Sequence, residues 1–215
     1  TDPFGNATSI ATPTIMPPLK ISEVKIGSST NGRDEFVELY NAGGQAINLN
    51  TLGLKLHLWD GTTDTNAAIT FMNSTIPANG FFLLTTNNYS GTTASDAVYA
   101  TTATAQIVAN GGVYISLSAT ADASIIDKVG WGTSTKKEGT AAADIVANTS
   151  IERKAMEYST AAMMISSGTH YTYGNGSDEM NNLIDFVVQA TPVPQNIFSN
   201  SEFAWVSDAF SGGDT

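Results

Sequence analysis

The sequence predicts an all-β sandwich, and two features of the residue pattern carry this prediction. Short runs rich in Ile, Val, Leu, Phe and Tyr recur between turn signals, whereas no segment keeps a helical spacing of apolar residues beyond about two turns. The turn signals are pairs in which Gly or Asn can adopt positive φ, such as Asn31-Gly32 and Asp60-Gly61. About nine short strands with such punctuation are typical of two packed sheets, and 215 residues suffice to form one such domain.

The strand at 35–41, EFVELYN, shows the expected alternation most clearly. Phe36, Glu38 and Tyr40 share one face of this strand, and Val37 and Leu39 share the other. This pattern predicts a strand with one face on a core. The predicted strands, in chain order, are 19–26, 35–41, 54–59, 68–72, 80–85, 112–117, 124–131, 150–154 and 184–189.

The order of these segments resembles the bacterial lamin tail domain. The motifs that carry the resemblance are ISEV (21–24), EFVELYN (35–41), the Leu-Gly-Leu strand (52–54), IPANGFFLL (76–84), NGGVYISL (110–117), IIDKVGWG (125–132), SIERK (150–154) and DFVVQATPVPQN (185–196). No single motif is specific, but their joint order is. The resemblance covers residues 19–196 and implies an immunoglobulin-like β-sandwich, flanked by an N-terminal arm (1–18) and a C-terminal arm (197–215).

SIERK contains one of only two arginines in a chain with nine basic residues. In a strand, Ile151 and Arg153 share one face, while Glu152 and Lys154 share the other. Ile151 is therefore expected in the core with Arg153 at its margin, where a guanidinium can bridge carboxylates or backbone carbonyls. We predict a structural role for Arg153, with Asp185 as its preferred partner, and ligand binding as the alternative.

A long segment at 155–184 contains Met156, Met163, Met164 and Met180, where the family pattern is often shorter. It is expected to form an extra hairpin or a draped loop. Because methionine fills irregular gaps, we expect the segment to cover the edge of the core, with a Met-rich binding surface as the alternative.

The sequence favours a protein that is not an enzyme. His57 in KLHLW and His170 in GTHYTYGNG belong to no HExxH, HxxxH or Ser-His-Asp arrangement, and GxSxG, P-loop and GxGxxG motifs are absent from the sequence. The carboxylates look scattered, and no pair stands out. A pocket that joined one of these histidines with carboxylates would favour catalysis instead.

Calcium is the inorganic ion that best fits the sequence, although no cofactor is expected to be essential. The loop NGSDEMNN (175–182) concentrates oxygen donors beside a glycine, as hard cations require, and Asp178 and Glu179 are the candidate ligands. The alternative is a chance cluster on an acidic, Asn-rich surface. Five Asn-x-Ser/Thr sequons permit glycosylation without arguing for it.

Both arms contain large apolar residues that need a partner surface. In the N-terminal arm these include Phe4, Ile10 and Ile15, and in the C-terminal arm they include Phe198, Phe203, Trp205 and Phe210. Each arm can fold back on its own sandwich or add a strand to a neighbouring copy. We favour the second arrangement, which predicts a homo-oligomer or homopolymer.

Composition and charge favour an extracellular or cell-surface location. Only 13% of the residues are charged, Ser, Thr, Ala, Gly and Asn dominate, and no apolar run approaches the roughly 18–20 residues of a membrane span. We expect a mature secreted chain that self-assembles into an extracellular filament or surface layer. The rivals are a monomeric binding or adhesion module, linked to calcium or glycan, and an enzyme with an unrecognised site.

The chain is not expected to bind duplex DNA at physiological salt. Twenty acidic and nine basic residues give a net charge of −11, and the adjacent pair Lys136-Lys137 is followed by Glu138, so no basic stripe is formed. Electrophoretic mobility of a DNA duplex should be unchanged by the protein. A sub-micromolar, salt-sensitive complex would contradict this expectation.

Overall fold

A computed structural model describes residues 16–100 and 106–204, which form two β-sheets packed on a shared core. The predicted all-β, immunoglobulin-like sandwich is confirmed. The strands are β1 (Leu19–Lys25), β2 (Phe36–Asn41), β3 (Ile47–Asn48), β4 (Lys55–Trp59), β5 (Asp64–Ala67), β6 (Ile69–Phe71), β7 (Thr75–Ile76), β8 (Phe81–Thr85), β9 (Ala97–Tyr99), β10 (Gly112–Ser116), β11 (Ile125–Gly130), β12 (Ser150–Arg153) and β13 (Phe186–Gln189). Three single helical turns join them: α1 (Leu49–Leu52), α2 (Ala161–Met164) and α3 (Asn182–Asp185).

The large sheet has the strand order β13-β12-β1-β2-β8-β9-β6, and the small sheet has the order β11-β10-β4-β5. Their paired strands are antiparallel, except that β8 and β9 run parallel. A two-stranded ribbon of β3 and β7 completes the architecture. Aliphatic and aromatic side chains from the inner faces fill the space between the sheets, including Leu19, Val37, Leu39, Leu56, Val113, Ile115, Val129 and Trp131.

The face of the large sheet that points away from this core is buried as well. Every residue of β2 is buried, whereas the alternation in EFVELYN identifies only one face with a core. Two later segments lie over the second face: residues 155–181, here called the cover, and residues 190–204, here called the strap. The cover is a draped segment with one helical turn, and it buries Met156 and Met164.

Each of the nine predicted strands contains an observed strand, but the boundary at residue 184 is wrong. Residues 184 and 185 belong to α3, because the Asn181 side chain caps this turn by accepting a hydrogen bond from the Leu183 amide. The short strands β3, β5, β7 and β9 were not predicted. The polar sequence of β5, DTNA, lacks the apolar alternation on which the prediction depended.

A buried ion pair between Arg153 and Asp127 joins the two sheets. Arg153 lies on β12 and Asp127 on β11, and their side chains are 0% and 1% exposed. Nη2 of Arg153 donates to both Asp127 carboxylate oxygens, at 2.9 and 2.7 Å. Its Nη1 donates to the Ser177 carbonyl of the cover at 3.0 Å, and the guanidinium lies 4.7 Å from the ring centroid of Phe186.

The same pair satisfies the backbone of β1 where this strand leaves β12. β1 pairs with β12 only from Glu23 to Lys25, and the register shifts between Ile21 and Glu23. The Ile21 amide donates to Asp127 at 2.6 Å, and Nε of Arg153 donates to the Ile21 carbonyl at 2.9 Å. The ion pair therefore replaces a missing strand neighbour, as buried backbone groups require.

Asp185 does not fill the role expected of it. Arg153 makes its ion pairs with Asp127 and, at 3.7 Å, with Asp178. Both carboxylate oxygens of Asp185 instead accept backbone hydrogen bonds, from Glu179 at 2.7 Å and from Asn181 at 3.0 Å. Asp185 thus stabilises the loop before α3, and the partner of Arg153 comes from the opposite sheet.

Replacing Arg153 by Ala is expected to lower the free energy of unfolding by about 3–5 kcal/mol, because it leaves the Asp127 carboxylate buried without its cation. It also removes the donor to the Ile21 carbonyl. Chemical denaturation of the two proteins measures this difference. Arg153→Lys should recover only part of the stability, because an ammonium cannot reproduce the forked set of donors.

Lys154→Ala is the matched control. Lys154 follows Arg153 immediately after β12, and its ammonium donates to the Glu157 carbonyl in an exposed position. This change should cost no more than about 0.5 kcal/mol. Equal stability of the Arg153→Ala and Lys154→Ala proteins would show that the ion pair does not hold the sheets together.

Candidate functional site

Three glutamates lie side by side on the covered face of the large sheet. Glu152 of β12 is directly opposite Glu23 of β1, which in turn is directly opposite Glu38 of β2. Glu38 and Glu152 alternate with core residues of their own strands, and the register shift between Ile21 and Glu23 turns Glu23 to the same face, which points away from the core. The strap supplies a fourth buried carboxylate, Glu202. These four residues are called the glutamate cluster below.

The glutamate cluster surrounds a small cavity between the large sheet, the cover and the strap. Its volume of about 30 Å³ offers room for one or two water molecules, since each needs about 10–15 Å³. Glu23, Glu152 and Glu202 line it, while Glu38 lies beneath the strap at Gln195. The wall also contains His170, Tyr171, Tyr173, Asn175, Gln189 and Gln195.

The hydrogen-bond donors to the cluster are neutral groups. They are Ser150 Oγ to Glu23; Ser22 Oγ and the Gln195 amide to Glu38; Asn175 Nδ2 and Gln189 Nε2 to Glu152; and Gln195 Nε2 to Glu202. Among the described residues, no Lys or Arg forms an ion pair with any member of the cluster. Lys25 pairs with Asp34 at 3.0 Å instead. Glu23, Glu38 and Glu202 are buried and Glu152 is half-buried, so the four carboxyl groups lie together without a Lys or Arg partner among the described residues.

Burial makes these carboxyl groups hold their protons. It raises the pKa of Glu38 to about 8, and the neighbouring Glu152 and Glu202 carboxylates add to this rise. Burial also raises the pKa of Glu152 and of Glu202 to about 7. The pKa of Glu23 is raised well above its usual range by burial and by the carboxylates of Glu152 and Glu38. The cluster is therefore partly protonated near neutral pH.

The interpretation that the carboxylates are scattered and that no pair stands out is wrong, because the fold brings four glutamates together. FVEL and SIER each place one glutamate between two residues that face the core, which is the signal in the sequence. ISEV gives no such signal, because strict alternation would put Glu23 on the same face as Ile21, and only the register shift between these two residues turns Glu23 outward. These glutamates are far apart along the chain, and only the order β12-β1-β2 brings them together. Glu202 joins the cluster because the strap crosses this face of the sheet. The strand pattern of the sequence does not predict that path.

His170 shares the cavity with carboxylates, the arrangement that was expected to favour an enzyme. Its Nδ1 lies 2.9 Å from Ser159 Oγ, but this hydroxyl also accepts the Met156 amide at 2.9 Å and is not part of the cavity wall. The Ser-His contact therefore fastens a turn of the cover. The cavity is also far smaller than the roughly 300–1,000 Å³ of typical small-molecule sites.

His57 lies on the outer face of the small sheet, where its ring is buried. Nδ1 lies 2.8 Å from an Asp64 carboxylate oxygen, and Nε2 lies 2.9 Å from the Ser118 carbonyl. The two ring nitrogens are thus both occupied by partners within the chain. The ring also stacks on Tyr114 with a centroid distance of 4.3 Å. These contacts give His57 a structural position.

The two candidate calcium ligands are not brought together. Glu179 is exposed, whereas Asp178 places an oxygen within 4.8 Å of oxygens from Glu138 and Asp185. Asp178 already pairs with Lys20 and lies near Arg153, and both Asp185 oxygens accept amides. The oxygen donors of this group are thus largely occupied within the chain, and calcium binding stays a prediction.

Residues 197–204, the described start of the C-terminal arm, lie on their own sandwich. This is the first of the two arrangements considered for the arms, in which an arm folds back on its own chain. The Glu202 amide donates to the Asn79 carbonyl at 2.7 Å, and the Tyr40 hydroxyl donates to the Glu202 carbonyl at 2.5 Å. Phe198 and Phe203 nevertheless remain 78% and 74% exposed. The other predicted interface residues, Phe4, Ile10, Ile15, Trp205 and Phe210, lie outside the described residues.

The free energy of unfolding is expected to fall as the pH rises from about 5 to about 8. Unfolded glutamates ionise near pKa 4.3, whereas folded Glu152 and Glu202 retain protons to about 7 and Glu38 to about 8. The folded chain therefore binds more protons in this window, and its stability is lost as the pH rises. Thermal unfolding across these pH values measures the decline. A Glu152→Gln protein should show a shallower decline, and stability that increases with pH would contradict the protonated cluster.

The described part of the chain contains no helix long and apolar enough to cross a membrane. A comparison with curated proteins gave no match. Among solved structures, the chain is similar to the crystal structure of a DUF4876 family protein from Bacteroides thetaiotaomicron VPI-5482. The TM-score is 0.53 at 13% identity, with 87% of this chain and 74% of that chain covered, a likeness of fold alone.

The comparison with protein families agrees with the order of strand motifs. The lamin tail domain matches residues 13–133, which include β1 to β11 and the turn after Trp131. The match covers more than half of the chain, whereas the cover, β12, β13 and the strap lie beyond it. By this match and by its fold, the chain belongs to the lamin tail domain family.

Proposed function

We propose that this protein is a non-catalytic structural module that self-assembles into an extracellular filament or surface layer. In this proposal, copies are joined when the C-terminal arm of one docks on another. The observation that carries it is the exposure of Phe198 and Phe203 on a strap that is hydrogen-bonded to its own sandwich. Aromatic side chains are enriched at protein interfaces, where they supply large apolar contact areas.

The strap is held by contacts at several points along its length. The Asn196 side chain donates to the Ala94 carbonyl at 2.9 Å, and the Ile197 amide donates to Asp96 at 3.1 Å. Further on, the Gly174 amide donates to the Phe203 carbonyl at 3.1 Å. The two phenyl rings are therefore exposed while the segment that carries them is hydrogen-bonded to its own sandwich.

The sequence continues this aromatic segment beyond the described residues. Trp205, Val206 and Phe210 follow within the last eleven positions, 205–215. A segment of this composition can add to an open sheet edge, where main-chain pairing gives affinity and side-chain pockets give register. The described edges are β13 and β6 of the large sheet and β11 and β5 of the small sheet. Val188 of β13 and Leu183 of α3 add exposed apolar surface near one of these edges.

Three further observations support a structural, secreted protein. The buried histidines make structural contacts, and the cavity beside His170 is too small for an ordinary substrate. The chain is poor in charge and rich in Ser, Thr, Ala, Gly and Asn, a composition associated with secreted proteins. Its net charge of −11 disfavours nucleic acid as a partner.

A monomeric binding module is the second candidate, and the glutamate cavity favours it. Acidic side chains and the rings of Tyr171 and Tyr173 meet at one concave site. Its size restricts a ligand to a small cation or to the tip of a longer group. Titration calorimetry with calcium tests the simplest form of this alternative.

Removing residues 205–215 is expected to abolish self-assembly while leaving the sandwich folded. This truncation ends after Ala204 and so preserves every described strap contact, unlike removal of the whole arm from residue 197. Light scattering at low micromolar concentration should show particles for the full chain and monomers for the truncated one. The Phe203→Ala, Trp205→Ala double variant should also fail to assemble, because it shares the loss of Trp205 with the truncated protein and in addition loses the exposed ring of Phe203.

Removing residues 1–15 provides the matched control at the other end of the chain. This protein should still assemble, which would assign the donor role to the C-terminal arm. Loss of assembly only in this protein would assign that role to the N-terminal arm. If the intact chain is itself a stable monomer at high concentration, self-assembly is excluded and the binding module takes its place.

A further inference from the structure

We propose that the strap is a proton-dependent latch, closed over the glutamate cluster while the cluster holds protons and opened when its carboxyl groups ionise. Opening would release the start of the C-terminal arm and allow it to dock on another copy. This last step rests on the proposed function. The opening itself depends only on the contacts within one chain.

The geometry sets one movable carboxylate over three fixed ones. Glu152, Glu23 and Glu38 lie on three adjacent strands in direct register, so their backbones cannot separate without breaking the large sheet. Glu202 lies on the strap, outside any strand. When like charges develop at this site, the strap is the element that can move away with its charge.

The strap also donates into the cluster. The Gln195 amide donates to Glu38, and the Gln195 side chain donates to Glu202 at 2.9 Å. These neutral donors orient the carboxyl groups but bring no positive charge. Closure of the strap therefore depends on protons to neutralise the cluster, since unpaired carboxylates are costly to bury.

Among the described residues, none of the other titratable groups around the strap forms an ion pair with the cluster. The cover contributes His170, Tyr171 and Tyr173 to the cavity wall. Beneath residues 192–194 lie Tyr89 and the ion pair of Lys25 with Asp34, and Asp96 accepts the Ile197 amide. The Lys25 ammonium is therefore committed to another carboxylate, and Tyr40 contacts the strap only as a neutral hydroxyl.

Opening the strap exposes the cluster to water, where glutamates ionise near pKa 4.3. The closed state retains protons at higher pH, because burial raises the pKa of Glu202 to about 7 and of Glu38 to about 8. For each proton that the cluster releases on opening, the ratio of open to closed strap rises tenfold with every unit of pH in this window. The latch is thus closed in mild acid and opens as the pH rises.

Hydrogen exchange of the full-length protein, measured by mass spectrometry at about pH 5 and pH 8 and corrected for intrinsic rates, tests the latch. Protection of peptides from residues 190–204 should drop at least about tenfold at the higher pH. Peptides containing β10 should stay protected, which separates strap opening from global unfolding. Glu202→Gln keeps an acceptor for Gln195 but removes the charge, so its strap should lose less protection.

Glu179→Gln is the matched control, because it removes an exposed glutamate outside the cluster and should follow the wild type. Equal strap protection at both pH values, or a Glu202→Gln protein that follows the wild type, would overturn the latch. Light scattering on the same samples keeps the two proposals distinct. Strap opening without assembly would support the latch and contradict the proposed function. Assembly with a strap that is equally protected at both pH values would contradict the latch and support the proposed function.

Discussion

The buried pair of Arg153 and Asp127 determines how the rest of the molecule is arranged. One guanidinium contacts a carboxylate of the opposite sheet, the Ile21 carbonyl, the Ser177 carbonyl of the cover and the Phe186 ring. It therefore connects both sheets with the segment that lies over the large sheet. Removing two ions from water is costly, and the pair is stabilising only because its donors and acceptors are well matched.

The ion pair also fixes which way β12 faces. Since successive side chains of a strand alternate, an inward Arg153 requires an outward Glu152, opposite Glu23 of β1. The short segment SIER thus contributes both to the junction of the sheets and to the glutamate cluster. The cover and the strap convert the outer face of the large sheet into a second buried layer, and the cost of burying acidic groups there is reduced by protonation and neutral hydrogen bonds.

Much of this arrangement is predictable from local sequence. The alternation in SIERK correctly predicts that Ile151 and Arg153 share a face, and the order of motifs predicts the sandwich. The partner Asp127 is not predictable in this way, because it lies on another sheet, 26 residues away. The burial of both faces of EFVELYN also depends on segments that contain no regular strand, so the periodicity of β2 cannot reveal it. The polar strand β5 could not be predicted from apolar alternation either. It is a strand because it pairs with β4.

The strap combines two surfaces of opposite chemistry in one short segment. Gln195 and Glu202 face the acidic cavity, while Phe198 and Phe203 point to solvent. Because the same backbone carries both sets, a change in the charge of the cavity also changes the restraint on the exposed rings. A disordered tail would present its aromatic residues without this dependence. The contacts that place residues 197–204 on their own sandwich are therefore compatible with a role between copies, since they provide a surface whose exposure the cavity can regulate.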